Sequence, residues 1–318
     1  MQSNKEPNFF VIGAAKCGTT TLYDFLEQHP EVYMSPIKEP HFFCSDIRIE
    51  NFSDEYKKYV FSRGINIQEY VAGDMSKKYW EFYIDEFSTY LKLFKNVTNQ
   101  KAIGEISNGY LFSNVSANEI KSKYPGAKII IILRNPVERA YSHYLANLRD
   151  GRTTLSFREE IEHDLKKEKK GWCISHNYIQ MGMYYEQVKR FVDAFPKEQI
   201  LIFLNDDLKS NAATVGNKLF QFIGVDTSAP INFTNKQNEA KMPKSAGLIK
   251  FITQTGLKRK IFRALPQSIQ EKIKPFFFKE GSIPKMSAED KSWLISVFKE
   301  DIEKTQALIN RDLSNWLK

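Results

Sequence analysis

Asn8 to Leu22 reads NFFVIGAAKCGTTTL. Phe9, Phe10, Val11 and Ile12 form a short apolar run of the kind a buried parallel strand shows. Gly13 to Gly18 is a turn of small residues, and from Thr19 to Gln28 the apolar residues Leu22, Phe25 and Leu26 fall at i, i+3 and i+4, the spacing of a helix. Strand, glycine-bounded loop and helix in that order aim free backbone N–H groups and the positive end of a helix dipole at one spot, which favours an anion there.

The spacing Gly13-x4-Gly18 resembles a Walker A loop, but Thr19 stands where that pattern has lysine, and Lys16 lies three residues earlier, inside the loop. One ammonium before Gly18 and the hydroxyls of Thr19, Thr20 and Thr21 after it suit a phosphate or sulfate group. The pattern K-x-G-T-T-T resembles the 5′-phosphosulfate loop of sulfotransferases that use 3′-phosphoadenosine 5′-phosphosulfate (PAPS). That resemblance implies Lys16, Cys17, Gly18, Thr19, Thr20 and Thr21 as cofactor-binding residues.

The 318 residues are 42% hydrophobic, 26% charged and 14% aromatic, enough apolar material for a sizeable core. No apolar run approaches the length of a membrane span, and no charged-then-apolar leader precedes the first strand, so no secretory signal is expected. Cys17, Cys44 and Cys173 are odd in number and without a CxxC pair, which predicts a reducing compartment and no disulfide framework. Five histidines without metal-ligand spacing predict no metal site. A net charge of +8 attracts anions. No nucleic-acid-binding motif accompanies it, which leaves a polyphosphorylated cofactor, an acidic glycan or an anionic membrane surface.

Lys128 to Leu133, KIIIIL, is the clearest strand, apolar throughout and so buried on both faces. Pro136 suits a first helical turn, and Val137, Ala140, Tyr141, Tyr144, Leu145 and Leu148 make the stripe of the helix after it, with Ser142 off that stripe beside Glu138 and Arg139. A nucleotide kinase wants a magnesium-holding Asp at such a strand end; Arg134 there suits a phosphate without metal. The run LRNPVERAYSHY closely resembles the sulfotransferase 3′-phosphate motif, which implies Arg134 and Ser142 as 3′-phosphate contacts.

Further matches follow the same family. Helix one is expected to stop at His29-Pro30, with Glu31 to Met34 extended and Ser35 to Phe43 a structured loop near the carboxyl edge of the sheet. KEPHFF resembles a stretch of glycan sulfotransferases, whose glutamate is the general base. Glu39 takes that role by resemblance, with His41 the competing base. Ala102 to Tyr110, AIGEISNGY, reads as a strand running into a turn at Asn108-Gly109; it resembles a further family segment, with Ile106 where lysine is frequent and Asn108 where proline is usual. Lys77 to Tyr83 offers cations and aromatics to a sugar, but Trp80, Tyr83 and Phe87 also fit the buried face of a helix, which is the preferred reading. Arg149 to Gly171 reads as a solvated helix with acids before bases. Tyr178 to Phe195 reads as amphipathic, Ile200 to Leu204 as a buried strand and Thr214 to Ile223 as a helix. Lys241 and Lys244 resemble a basic loop that closes over the nucleotide and are 3′-phosphate candidates. Ile249 to Lys279 mixes bases with apolar residues, as a helix packed on the domain or a peripheral membrane contact does. Ser287-Ala-Glu-Asp290 is an N-cap signature for a C-terminal helix.

These elements predict an α/β fold: one P-loop-like domain over residues 1–318, with a central, mainly parallel sheet flanked by helices. Its PAPS-binding core spans 8–245 and its C-terminal helical part 246–318. The resemblance, closest to glycan, heparan-sulfate-type and bacterial PAPS-dependent sulfotransferases, implies metal-free transfer of a sulfuryl group from PAPS to an acceptor hydroxyl, with a glycan the expected acceptor. It releases 3′-phosphoadenosine 5′-phosphate (PAP), with Lys16 stabilising the leaving phosphate and Glu39 as base. The alternatives are a P-loop nucleotide or small-molecule kinase, and a non-catalytic anion- or glycan-binding protein. A cytoplasmic enzyme is expected.

Overall fold

The computed structural model describes residues 6–52, 54, 56–57, 64–166, 176–234, 242–243, 278–279 and 284–318. In chain order the elements are β1 (Phe9–Val11), α1 (Thr19–Gln28), β2 (Val32–Met34), β3 (Ile37–Lys38), α2 (Ile67–Ala72), β4 (Tyr79–Trp80), α3 (Phe87–Lys92), β5 (Ala102–Ile106), α4 (Gly109–Phe112), α5 (Ser116–Lys123), β6 (Lys128–Leu133), α6 (Pro136–Asp150), α7 (Phe157–Lys166), α8 (Tyr184–Ala194), β7 (Ile200–Leu204), α9 (Asn205–Ser210), α10 (Ala212–Ile223), β8 (Met242–Pro243), β9 (Phe278–Lys279) and α11 (Ala288–Ile309).

Five strands form one sheet in the order β2-β5-β1-β6-β7. All its pairings are parallel. Parallel strands need crossovers that cover both faces, which is why β1 and the apolar part of β6 are fully buried. The expected strand 128–133 is β6, residue for residue. β7, expected to be buried, is instead the edge strand, with its first three residues partly exposed.

Local sequence sets the helix starts. Asn135 caps α6 by accepting the Val137 N–H at 3.0 Å, with Pro136 in the first turn where no N–H is needed. Ser287 caps α11 by accepting the Asp290 N–H at 3.0 Å. α11 lays Leu294, Phe298 and Ile302 into the core against α8 and α6, and its Asp301 accepts the Tyr184 N–H at 2.6 Å at the start of α8, a carboxylate at a helix N-terminus.

Three further expectations are corrected. Trp80 is not on a buried helix face: it ends β4, which pairs with β3, and is 53% exposed. The helix after Arg149 is not simply solvated, because Glu160 and Asp164 of α7 are buried. Thr153 and Tyr178 hydroxyls bond Glu160, and the Tyr178 N–H bonds Asp164, so both carboxylates are satisfied inside. Asn108-Gly109 is not a free-standing turn: Asn108 is the N-cap and Gly109 the first residue of the short helix α4. Lys241, Lys244 and residues 249–277 lie outside the described residues.

At the centre of the sheet Gly104 faces the Phe9 ring of the neighbouring strand, and an added Cβ would run into that ring. Gly104→Ala is expected to lower stability by about 1–3 kcal/mol, read as a lower urea midpoint. Gly126→Ala, where a Cβ meets nothing within 4 Å, is the matched control and is expected to leave the midpoint in place.

Candidate active site

The carboxyl ends of the strands deliver the loops of the site, and the parallel ladder continues past the strand ends to fix them. Ala14 N–H bonds Ile132 O at 2.8 Å and Ile132 N–H bonds Gly13 O at 2.9 Å, which ties the loop after β1 to β6. Ser107 N–H bonds Val11 O at 3.0 Å, and Glu39 N–H bonds Ile106 O at 2.7 Å. The loops after β1, β3, β5 and β6 are therefore held along one sheet edge, where open α/β sheets bind ligands.

In the loop after β1, Gly18 has φ 111°, a conformation that suits glycine, and it precedes α1 without any side-chain cap. The Thr21 N–H bonds Gly18 O at 3.0 Å, and the N–H groups of Thr19 and Thr20 before it are left for an anion or solvent. Thr19 is buried, whereas Thr20 and Thr21 are partly exposed. Cys17 is engaged within the protein: its N–H bonds Ala14 O at 3.2 Å and its buried Sγ stands 3.6 Å from the Tyr184 hydroxyl. Burial pushes that thiol up, so it is not a thiolate.

Lys16 is pushed down to about 8, first by burial and then by the charges of Arg149, Arg134 and Lys38, against an opposing pull from Asp150. Such a desolvated gathering of cations is the environment an anion relieves. Arg134, at the end of β6, reaches over the loop: its Nη1 donates to Lys16 O at 3.4 Å, and its Nε and Nη2 hold Glu138 Oε2 at 3.1 and 2.9 Å. Ser142, two turns further on α6, is partly exposed.

Glu39 lies across the site. Asn108 Nδ2 donates to its Oε1 at 2.7 Å, Lys38 Nζ stands 3.5 Å from that same oxygen, and His41 Nε2 is 3.6 Å from Oε2. Burial alone would raise this carboxyl, but His41 and Lys38 outweigh it and hold it below the usual carboxylate range. Glu39 is thus an ionised proton acceptor at neutral pH. Lys38 itself is buried, donates to Thr20 Oγ1 at 3.2 Å and sits 4.4 Å over the Trp80 ring, so it links the first turn of α1, Glu39 and the exposed tryptophan. His41 is only 4% exposed and stacks on Tyr83 with ring centroids 4.8 Å apart.

A cavity of about 220 Å³ opens here, lined by Ala15, Glu39, Trp80, Glu81, Asn108, His143 and Arg152. Of the two candidate bases, Glu39 is in its wall. Lys38, Asn108, His143 and Arg152 are site residues that the sequence reading did not single out. Asn108 carried a signal, as a departure from the proline expected there; the others depend on tertiary placement.

A buried carboxylate anchors the loop that carries Glu39. Glu105 in β5 accepts the Tyr90 and Tyr110 hydroxyls at 2.8 Å each, and the Ser107 hydroxyl at 2.8 Å. Ser107 Oγ in turn accepts the His41 N–H at 3.3 Å, and the Tyr110 oxygen accepts the Phe42 and Phe43 N–H groups at 3.1 Å each. Complete burial pushes Glu105 up to about 7, with the three hydroxyl donors pulling the other way. A carboxyl raised in the folded state holds its proton longer there than when unfolded, so it subtracts stability as pH rises from about 4.5 through 7. Glu105→Gln is expected to remove that loss, up to about 3 kcal/mol. The check is urea unfolding at pH 5 and pH 8: the wild type should lose stability relative to the variant at the higher pH.

Comparison with known proteins bears on this geometry. The sequence profile of the sulfotransferase domain matches residues 6–306. Carbohydrate sulfotransferase 15 of Rattus norvegicus is 28% identical over 273 residues, which cover 75% of this chain and 46% of that protein. The bifunctional heparan sulfate N-deacetylase/N-sulfotransferase 3 of Homo sapiens is 29% identical over 222 residues, 69% of this chain and 22% of that protein. The chain thus spans less than half the length of these curated relatives. The crystal structure of a sulfotransferase from Alicyclobacillus acidocaldarius superposes with a TM-score of 0.73 at 30% identity, covering 98% of this chain and 99% of that one.

Proposed function

The chain belongs to the sulfotransferase family, and from that premise we propose that it moves a sulfuryl group from PAPS to a carbohydrate hydroxyl, with Glu39 as general base. The observation that carries the reading is one cavity with an ionised carboxylate in its wall and a desolvated cluster of cations beside it. The residues present fit the donor. Lys16 and the uncapped start of α1 suit the 5′-phosphosulfate, Arg134 with Ser142 suits the 3′-phosphate, and the end of β6 offers an arginine where magnesium-dependent phosphoryl transfer wants a carboxylate.

PAPS supplies the sulfuryl group: the acceptor oxygen bonds sulfur as the bond to the 5′-phosphate oxygen breaks, and PAP leaves. Lys16 and the first-turn N–H groups of α1 neutralise the charge that grows on that leaving oxygen, an electrostatic contribution worth about 10²–10³ in rate per donor. Glu39 takes the proton from the acceptor hydroxyl, a role that contributes about 10²–10⁴. Asn108 and Lys38 hold its carboxylate still while the oxygen approaches. A carbohydrate acceptor is supported by the printed names of the curated relatives and by Trp80, whose exposed ring in the cavity wall offers a flat apolar surface with polar groups around it.

The test is calorimetric titration with PAP, AMP and ATP, with and without magnesium, on the wild type and two variants. PAP is expected to bind best and without metal. Arg134→Ala should weaken PAP about tenfold or more, as lost charge-assisted bonds do, whereas Glu39→Gln should keep PAP affinity and lose turnover. Preference for ATP with magnesium, or equal loss of PAP affinity in both variants, would overturn the reading.

A further inference from the structure

His143 follows Ser142 in α6, but it turns into the protein and lines the cavity opposite no assigned partner of the reaction. The residue is 6% exposed. One turn earlier on the same helix, Arg139 is completely buried; its Nη2 donates to Tyr178 O and its Nη1 stands 3.3 Å from His143 Nδ1. A guanidinium only donates, so Nδ1 must accept and carries no proton. Burial, then the charges of Arg139, Lys16, His176 and Arg152, push the ring well below the usual histidine range, so it is neutral. A neutral imidazole bare at Nδ1 carries its hydrogen on Nε2. The groups facing the ring are therefore Arg139 from its own helix, Lys16 from the loop after β1, His176 and the Tyr178 ring (5.1 Å between centroids) from the segment after α7, and Arg152 beyond the helix end. An imidazolium among these cations would be repelled; an uncharged N–H donor is compatible with them.

We propose that His143 is a neutral hydrogen-bond donor to the acceptor substrate: its Nε2–H bonds an acceptor oxygen in the cavity that Glu39 also lines, and Arg139 is the positioning residue that fixes the tautomer. This rests on the cavity being the sulfuryl-transfer site. The division of labour is chemical. The cations around Lys16 serve the phosphates, while an uncharged donor orients an acceptor oxygen without adding a further cation beside Glu39, whose carboxylate Lys38 already pairs.

The experiment is nitrogen–proton correlation NMR on protein labelled with ¹⁵N at its histidines, from pH 5.5 to 8.5, with the His143 signals assigned by their loss in His143→Gln. Expected are a bare Nδ1, a protonated Nε2 and no titration across the range. Adding a heparan sulfate oligosaccharide to the PAP-saturated protein should then shift the Nε2–H signal. Titration near the ordinary histidine value, an Nδ1–H tautomer, or an Nε2–H signal that stays put on saturation with the oligosaccharide would overturn the proposal. In kinetics with the same oligosaccharide as acceptor, His143→Leu should raise its KM about tenfold, the effect of one net hydrogen bond. PAP affinity should stay unchanged, and His143→Gln, which restores an N–H, should recover most of the loss. An unchanged acceptor KM in His143→Leu, or a matching loss of PAP affinity, would also overturn it. Absence of any sulfuryl transfer by the wild type would instead strike at the proposed function, since the tautomer and titration results do not depend on turnover.

Discussion

β1 is a three-residue strand buried on both faces and paired on both edges, and every backbone group at its carboxyl end must find a partner without water. The partners it finds are the site loops. Val11 O takes the Ser107 N–H, Ile12 O takes the Leu111 N–H, and Gly13 and Ala14 exchange bonds with Ile132. The placement of Lys16, Asn108 and Arg134 relative to one another is therefore a consequence of completing the hydrogen bonds of one central strand, and its neighbour β5 adds Glu39 through the Glu39 N–H on Ile106 O.

The same economy governs charge. Lys16, Lys38, Arg134 and Arg149 are drawn together, and the negative groups among them are specifically placed: Glu39 held by Asn108, Glu138 held by Arg134 and Lys209, and Asp150 paired with Arg149. Backbone conformation carries part of the cost. Among the described residues six other than glycine have positive φ, and four of them, Lys16, Glu39, His41 and Glu81, are in or beside the cavity. Left-handed backbone at such residues costs on the order of 1–3 kcal/mol each and persists where surrounding bonds over-determine it.

Much of this was legible in the sequence where the physics is local. The run of isoleucines gave β6 its limits, Pro136 gave α6 its start, and the glycine-bounded run before Thr19 marked the loop between β1 and α1, because strand burial and helix-start preferences act over a few residues. What escaped was set by distant partners. Trp80 belongs to a strand of two residues whose pairing with β3 spans some forty positions, so no periodicity announces it. Glu160 and Asp164 look like solvent-facing acids until Thr153 and Tyr178 are folded against them. Arg139 looks like a surface base beside Glu138, yet it is fully buried with its guanidinium on Tyr178 O and His143.

The pairing of β3 with β4 has a further consequence. Glu81 N–H bonds Lys38 O at 2.7 Å and Phe82 N–H bonds Glu39 O at 2.9 Å, so the segment bearing Trp80 and the one bearing Glu39 form a single bracket. In the proposed reaction, an acceptor that rests its body on the tryptophan loads the same piece of backbone that aims the carboxylate. A poorly seated molecule would then tilt its own base, and discrimination between acceptors would be written into turnover rather than into residence in the cavity.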